Sequence, residues 1–525
     1  MTGPAVHRIG KAEELGPELI AAVARGDARL ELAPELLAEV DAARAVMLAA
    51  LAGGGPVYGV NTGMGALAGI RLDAEEQARH QNNLMAGRSV GSAPWLGREE
   101  ARALLCVRLR TLLQPAAGAS PELALQVAAL LDAGVTPAIP ARGSGAAGEI
   151  IPLAHAGAAL IGTGQVLDPS GRAVDAGPAL AEAGLRPYSF GAKEGVAFLE
   201  GVPGLTGLAV LAAQAARTLI AQVTAVVAAE HAIAHASLDP WHPAFGDGDP
   251  ELRTVLAELT ASRELRSGVA EPVASREPRT DVAELAASRG EGPPRALQAP
   301  VSFRVSAPAL AVATRATAGL EAAVDRSLRC VSDSPAFLDG RFVGSAGFAG
   351  TDLVAAASSL TTAVIHLAEL GVSRLHRLLD AGVTGLTRQL SATPGVDAGM
   401  VVVHKRAVGV AHRLRRFAAP ALIGPMETSA GQEDVQSFGF EAAECLSESL
   451  DGLREVLSCE ILAIHQANLL STGAATASDA ATASHDLSEI FGELPQSTRD
   501  RPYGRDLDRI VEHLRAARTT RHDPR

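Results

Sequence analysis

The segment Gly204–Ala236, GLTGLAVLAAQAARTLIAQVTAVVAAEHAIAHA, constrains the fold of this chain more than any other. Alanine and leucine are strong helix formers, and apolar residues would run almost all round the helix they make. Such a helix has to be covered, by lipid or by other helices of a large protein or oligomer. Gln214, Arg217, Gln222 and Glu230 interrupt it, and charged side chains are costly in a hydrocarbon layer. The expectation is a helix buried in a soluble helical assembly, with no membrane partner. Composition agrees, because 47% apolar and 20% charged residues allow a large core. A net charge of −13 argues against a nucleic-acid surface or a polybasic membrane patch. Cys106, Cys330, Cys445 and Cys459 form no CxxC pair, which excludes a zinc ribbon or disulfide scaffold and fits a reducing compartment. The N-terminal stretch lacks the apolar run of a signal peptide, so a cytoplasmic location is expected.

Helical spacing recurs along most of the chain. The first fifty residues read as two helices, and further helical patterns lie at Glu75–Leu84, Glu99–Leu113, Asp352–Asp380, Gly399–Phe417 and Gly439–Leu470. Gln165–Val174 and Ala336–Gly344 read as short hairpins, the second turning at Asp339–Gly340. Leu265–Pro300 mixes Ser, Arg, Glu, Gly and Pro without period and reads as a mobile inter-helical loop. The fold class predicted is mainly α: a long-helix bundle over 204–525, preceded over 1–203 by a smaller helix-plus-loop part.

Two glycine-rich loops stand apart. Gly53–Gly69 carries Tyr58 within VYGVNTGMG, and glycine there permits positive φ. A phenol on such a loop either serves as acid or base over a pocket or anchors the loop by its ring, and spacing alone leaves both open. The second loop, PARGSGAAGEIIPLAH, runs from Pro140 to His155. No phosphate loop and no HExxH zinc motif occurs. His231 and His235 lie four apart on a probable helix, but without a third ligand nearby a structural role is expected and no metal is called for.

These loops carry a resemblance. YGVNTGMG, GAAGEIIPLAHAGAALIGTGQV, EGVAFLEG, QAPVSFRVSAP, VSDSPAF, SAGFAG and METSAGQEDVQS resemble, in order, the motifs of the histidine and phenylalanine ammonia-lyases and their aminomutase relatives. The resemblance implies a mainly helical homotetramer whose active sites draw on more than one subunit. In that family an internal Ala-Ser-Gly cyclises to the electrophile methylidene-imidazolone, the loop tyrosine removes a β-proton, and an arginine holds the substrate carboxylate. By that likeness Tyr58, Arg304 and Glu433 are the catalytic candidates, and Leu84, Glu200, Gln298, Val301, Phe348 and Gln432 line the substrate.

The likeness fails at the electrophile. The tripeptide is Ala146-Ala147-Gly148, and Ala147 has no β-hydroxyl to lose as water. The expectation is therefore no prosthetic group. Other positions depart with it. Glu200 stands where the family has asparagine, Val301 where it has tyrosine, and Ala299 where it has aspartate. Ser334 replaces another asparagine, Ala346–Gly350 is shortened, and Asn83–Gly91 is a shorter form of the family's segment. Departures at so many site positions point to a natural homologue without the electrophile. The function expected is a lyase, isomerase or cyclase acting on a small activated carboxylate by tyrosine-based proton transfer. The alternatives are a non-catalytic binding scaffold and an ordinary ammonia-lyase inactivated at one serine.

Overall fold

The computed structural model describes residues 3–266, 293–424, 426–472 and 485–517. Most of the expected loop Leu265–Pro300 thus lies outside the described residues, and 293–300 is irregular. The chain is mainly helical, as the sequence predicts. It forms two compact units, each assembled from three stretches. The first comprises Met1–Ala213, Gly319–Ser358 and Ala419–Cys445, and the second Gln214–Ala318, Ser359–Ala418 and Leu446–Arg525.

The first unit opens with an element that helical periodicity does not reveal. Strands β1 (Ala5–Ile9) and β2 (Ala28–Leu32) pair in parallel, with α1 (Pro17–Arg25) as the crossover between them. The two helices expected in the first fifty residues are α1 and α2 (Pro34–Ala52). Then follow α3 (Ala74–Arg88), α4 (Arg98–Leu112), α5 (Pro121–Ala133) and α6 (Ile150–Leu160). Helix α3 begins on a capping box, in which Asp73 accepts the Glu76 amide and Glu76 accepts that of Asp73. Strands β3 (Gln165–Leu167) and β4 (Ala173–Asp175) make the first predicted hairpin. Short helices α7 (Ala176–Glu182) and α8 (Glu194–Leu199) lead into α9 (Pro203–Ile233). The second hairpin, β5 (Ala336–Leu338) with β6 (Arg341–Val343), turns at Asp339 and Gly340 with φ of 50° and 74°. Two central residues at positive φ are what a tight two-residue hairpin requires.

Helix α10 (Pro250–Arg266), the turn α11 (Val301–Arg304) and the long helix α12 (Ser306–Arg329) come next. They are followed by α13 (Thr351–Leu378), α14 (Ala381–Thr384), α15 (Val401–Leu414) and α16 (Gly439–Thr472). Helices α17 (His485–Glu493) and α18 (Gly504–Ala516) close the second unit. Inside this unit, Arg374 of α13 donates from Nε to Glu230 of α9 at 2.6 Å and from Nη2 to Glu460 of α16 at 2.7 Å. Its Nη1 reaches Ser306 of α12 at 3.3 Å. All three ions are fully buried, so one guanidinium ties four long helices together.

The segments Glu194–Ile233 and Gly347–Leu378 are long and apolar enough to cross a membrane by length and composition. The most apolar window of the first is 83% buried within the chain, as a core helix would be. His231 is buried, its Nε2 3.1 Å from the Phe303 carbonyl and its ring against Trp241. His235 lies beyond the end of α9 at φ 49°, and no group of three or more potential metal ligands occurs among the described residues.

Candidate active site

The tyrosine loop is pre-formed by its own polar side chains. Asn61 accepts the Val57 amide at 2.7 Å and donates to the Gly55 carbonyl at 2.8 Å. Arg71 donates to both Asn61 Oδ1 and the Gly54 carbonyl, closing the base of the loop. Gly59 and Gly65 take φ of 66° and 58°, which a side chain would strain. Within this frame the Gly65 amide donates to Tyr58 Oη at 2.8 Å. These internal bonds hold the phenol in place.

Gln81 of α3 fixes the loop to its surroundings. Its Nε2 donates to the Gly59 carbonyl at 3.0 Å, and its Oε1 accepts the Val196 amide of α8 at 3.2 Å. Gly195 lies so close that a Cβ there would stand 2.4 Å from the Gln81 carbonyl oxygen. Helices α3 and α8 therefore meet behind Tyr58, and Glu200 follows directly from α8.

Glu200 is 7% exposed, and its carboxyl makes no hydrogen bond or ion pair among the described residues. Burial, helped by the neighbouring Asp333 charge, pushes its pKa up to about 8, so it is mostly protonated at neutral pH. Beneath it, Arg108 donates to the carbonyls of Ala197 and Glu200. Lys193, fully buried at φ 69°, is ion-paired with Asp333. Burial lowers the Arg108 pKa to about 10 against the opposing pull of Asp333, Glu149 and Glu200.

The second glycine-rich loop is held from both ends. The Ala147 amide donates to Glu433 Oε2 at 2.8 Å. Glu433 Oε1 accepts the Ser429 hydroxyl at 2.7 Å. Ser429 and Ala430 both sit at φ 54°, a left-handed conformation that costs non-glycine residues on the order of 1–3 kcal/mol and points to a demanded geometry. At the other end, Glu149 accepts the amides of Gly204 and Leu205, each at 2.6 Å, at the first turn of α9. Its carboxylate thus fills the anion-favouring helix N-terminus. Burial nonetheless raises its pKa to about 7, opposed by those two amides. Gly148, at φ 85°, approaches Phe348 and Gly201: an added Cβ would lie 3.3 and 3.6 Å from their carbonyl oxygens.

The first unit thus gathers Tyr58, Glu200, Phe348, Gln432, Glu433 and the tripeptide Ala146–Gly148. Gln432 is exposed beside Glu433, while Leu84 is wholly enclosed on α3. Arg304, Gln298 and Val301 belong to the second unit, where Arg304 Nη1 donates to Gln298 Oε1 at 3.0 Å and Val301 is exposed. Two residues escape the sequence reading. Arg88, the last residue of α3, lies near enough to Tyr58 to pull its pKa down, and it feels the charges of Glu200 and Glu433 in turn. His80, on the same helix, has its Nε2 buried without a hydrogen-bond partner. Burial, above all, raises the Tyr58 pKa, with Glu200 and Glu433 adding to the shift and the Gly65 amide and Arg88 opposing it. An arginine closing an otherwise polar helix within the shortened segment Asn83–Gly91 was the available signal.

A mainly helical chain with a tyrosine loop beside a glycine-rich tripeptide defines a class, and comparison with known proteins agrees. The sequence profile described as aromatic amino acid lyase matches residues 15–489. The chain belongs to the aromatic amino acid lyase family. It is 34% identical over 462 residues to a histidine ammonia-lyase of Streptomyces coelicolor, covering 86% of each chain. It is 30% identical over 505 residues to one from Aromatoleum aromaticum, covering 96% of this chain and 92% of that one. In fold it is similar to an ergothioneine-degrading enzyme, ergothionase, of Treponema denticola, with TM-score 0.84, 22% identity and coverage of 97% and 99%. A tyrosine aminomutase of Streptomyces globisporus gives TM-score 0.83 at 24% identity, with 97% and 96% covered.

The family's prosthetic group does not fit the residues present. Its methylidene carbon derives from a serine Cβ by loss of the hydroxyl, and Ala147 offers a methyl group instead. The Ala147 backbone is also engaged by the Glu433 carboxylate.

Proposed function

We propose that this chain is a lyase-family enzyme that works without methylidene-imidazolone, moving a proton between Tyr58 and a small activated carboxylate substrate. The observation that carries the reading is a tyrosine held by a backbone amide beside a loop that cannot supply the electrophile. General acid–base groups contribute about a hundred- to ten-thousandfold. That is far less than a weakly acidic β-proton of a free amino acid demands, so the substrate brings its own activation: a conjugated carbonyl, a good leaving group or a polyene.

In this mechanism the substrate lies against Tyr58, Glu200 and the Ala147 loop. Tyr58 is protonated at rest, and the Gly65 amide stabilises its oxygen when the proton leaves. Glu200, protonated near neutrality, is placed to return a proton or donate a hydrogen bond to a developing oxyanion. Arg304 takes a substrate carboxylate through its planar fork. We further propose that the chain works as a homotetramer in the cytoplasm, with Arg304 contributed across a subunit interface. Val301 and Val312, 63% and 50% exposed, are apolar surface of the kind that association would cover.

The test has two arms. Intact mass and nucleophile trapping of the peptide around Ala147 should reveal no methylidene group. Tyr58→Phe, assayed on activated carboxylates, should lower kcat by at least about a hundredfold while largely preserving affinity, whereas Arg304→Ala should weaken binding as well. A trapped methylidene group, or unchanged rates in Tyr58→Phe, would sink the proposal. Ligand binding without turnover across such a panel would favour a binding scaffold.

A further inference from the structure

The site around Tyr58 contains a cation that the protein leaves unpaired. Arg88 is half-buried at the C-terminal end of α3, yet its guanidinium makes no hydrogen bond or ion pair among the described residues. An arginine keeps its charge throughout the physiological range. Stripping such a group of part of its water without giving it a partner costs stability.

Its neighbours explain why it stays unpaired. Glu433 acts on it only through its charge and does not pair with it; its two oxygens accept hydrogen bonds from the Ala147 amide and the Ser429 hydroxyl instead. Glu200 retains its proton near neutrality and forms no ion pair. His80 is held towards its neutral form by burial and by Arg88 itself. Tyr58 is an un-ionised phenol in the resting state. Arg88 therefore remains a fork of donors that no neighbouring carboxylate pairs with.

We infer that Arg88 is a substrate-anchoring residue that binds an oxyanion, a carboxylate first of all, within a side chain's reach of Tyr58. The inference rests on the reading of the Tyr58 site as the active site, and it deepens that reading by giving the substrate a second anionic group, at the end of α3, besides the carboxylate assigned to Arg304. A carboxylate there accepts two parallel N–H bonds from the guanidinium. The helix C-terminus disfavours an anion, so Arg88 and not the helix supplies the attraction. Binding also withdraws the positive charge that Arg88 presents to Tyr58, so an occupied site holds the phenol proton more tightly than an empty one.

The chain has three tyrosines, Tyr58, Tyr188 and Tyr503, so the Tyr58 ionisation can be assigned by its loss in Tyr58→Phe. Benzoate and 3-phenylpropanoate are the carboxylate probes, benzamide the neutral control and inorganic phosphate the competing oxyanion. Calorimetric binding and ultraviolet titration of Tyr58 are measured on the full chain as wild type, Arg88→Gln and Arg88→Lys. The expected result is saturable carboxylate binding that weakens at least tenfold in Arg88→Gln and recovers in part in Arg88→Lys, with benzamide unaffected. Either carboxylate should raise the Tyr58 pKa in the wild type and leave it unchanged in Arg88→Gln. Phosphate binding more tightly than both carboxylates would correct the preferred oxyanion. No saturable oxyanion binding, or binding indifferent to Arg88→Gln, overturns the inference. That failure differs from failure of the functional reading, which is decided separately by Tyr58→Phe turnover and by the methylidene test.

Discussion

Arg374 in the second unit faces two buried carboxyl groups, Glu230 and Glu460, and three such ions cannot all be charged without leaving a net negative charge in the core. Glu230 Oε1 and Glu460 Oε2 are both buried without a hydrogen-bond partner, and the Glu460 charge acts directly on Glu230. Burial and the neighbouring Glu460 charge accordingly raise the Glu230 pKa well above its ordinary value, more than Arg374 lowers it. The prediction compares Arg374→Met with Glu230→Gln. Removing the cation strands a buried carboxylate and should cost about 3–5 kcal/mol, more than a hundredfold in the ratio of folded to unfolded protein. Replacing a protonated carboxyl with an amide of the same shape should cost about 1 kcal/mol or less. Urea midpoints at fixed protein concentration, read by circular dichroism, make the comparison. The sign of the pH effect follows from the raised value. The folded state holds a proton that the unfolded state has released above its ordinary carboxyl pKa, so this group's contribution to stability is complete below that pKa and disappears as pH rises through the folded one. Glu230→Gln should therefore lose less stability than the wild type between pH 6 and pH 9, and a protonated-carboxyl infrared band should vanish with it. If Glu230→Gln proves as damaging as Arg374→Met, or the band is absent in the wild type, the proton on Glu230 is not there.

Ala147→Ser alone should not yield an efficient histidine or phenylalanine ammonia-lyase, because Glu200 and Val301 also replace groups of the usual site; ammonia release from either amino acid at ordinary family rates would refute this. If Glu200 acts in its protonated form, turnover should fall as pH rises through about 8 and Glu200→Gln should remove that limb of the profile, which a pH–rate series would check. Light scattering at micromolar concentration should give the mass of four chains, and a stable monomer would contradict the proposed assembly.

Much of this architecture could be read from the chain because its helices are long and repetitive. Gly204–Ala236 and Gly439–Leu470 satisfy the helical period over so many turns that α9 and α16 end within a few residues of where the sequence places them. The parallel pair β1–β2 could not be read this way. In β1 only Ile9 is buried, so the strand has no alternating face, and its partner lies beyond an intervening helix. The same distinction holds in the candidate site. Tyr58, Glu433 and the Ala147 tripeptide sit in contiguous motifs, so a linear scan finds them. Arg88 and His80 lie on a polar helix whose one signal is the arginine that closes it, and they matter because α3 packs beside the tyrosine loop. Glu230 registered in the sequence merely as an interruption of an apolar run; the partners that make it tolerable are Arg374 and Glu460, far along the chain.

The hydrogen bond from the Gly65 amide to Tyr58 Oη has a consequence for the order of chemical events. That amide occupies a lone pair of the phenol oxygen, so the hydroxyl hydrogen must point elsewhere. A ligand arriving at Tyr58 meets a proton donor first, and the base exists only after that proton has gone. When it goes, the charge left behind is already solvated by a dipole seven residues away in the same loop. No water has to reorient to receive it, and any movement of the loop carries oxygen and amide together. The loop is in this sense a reagent packaged with its own solvent shell.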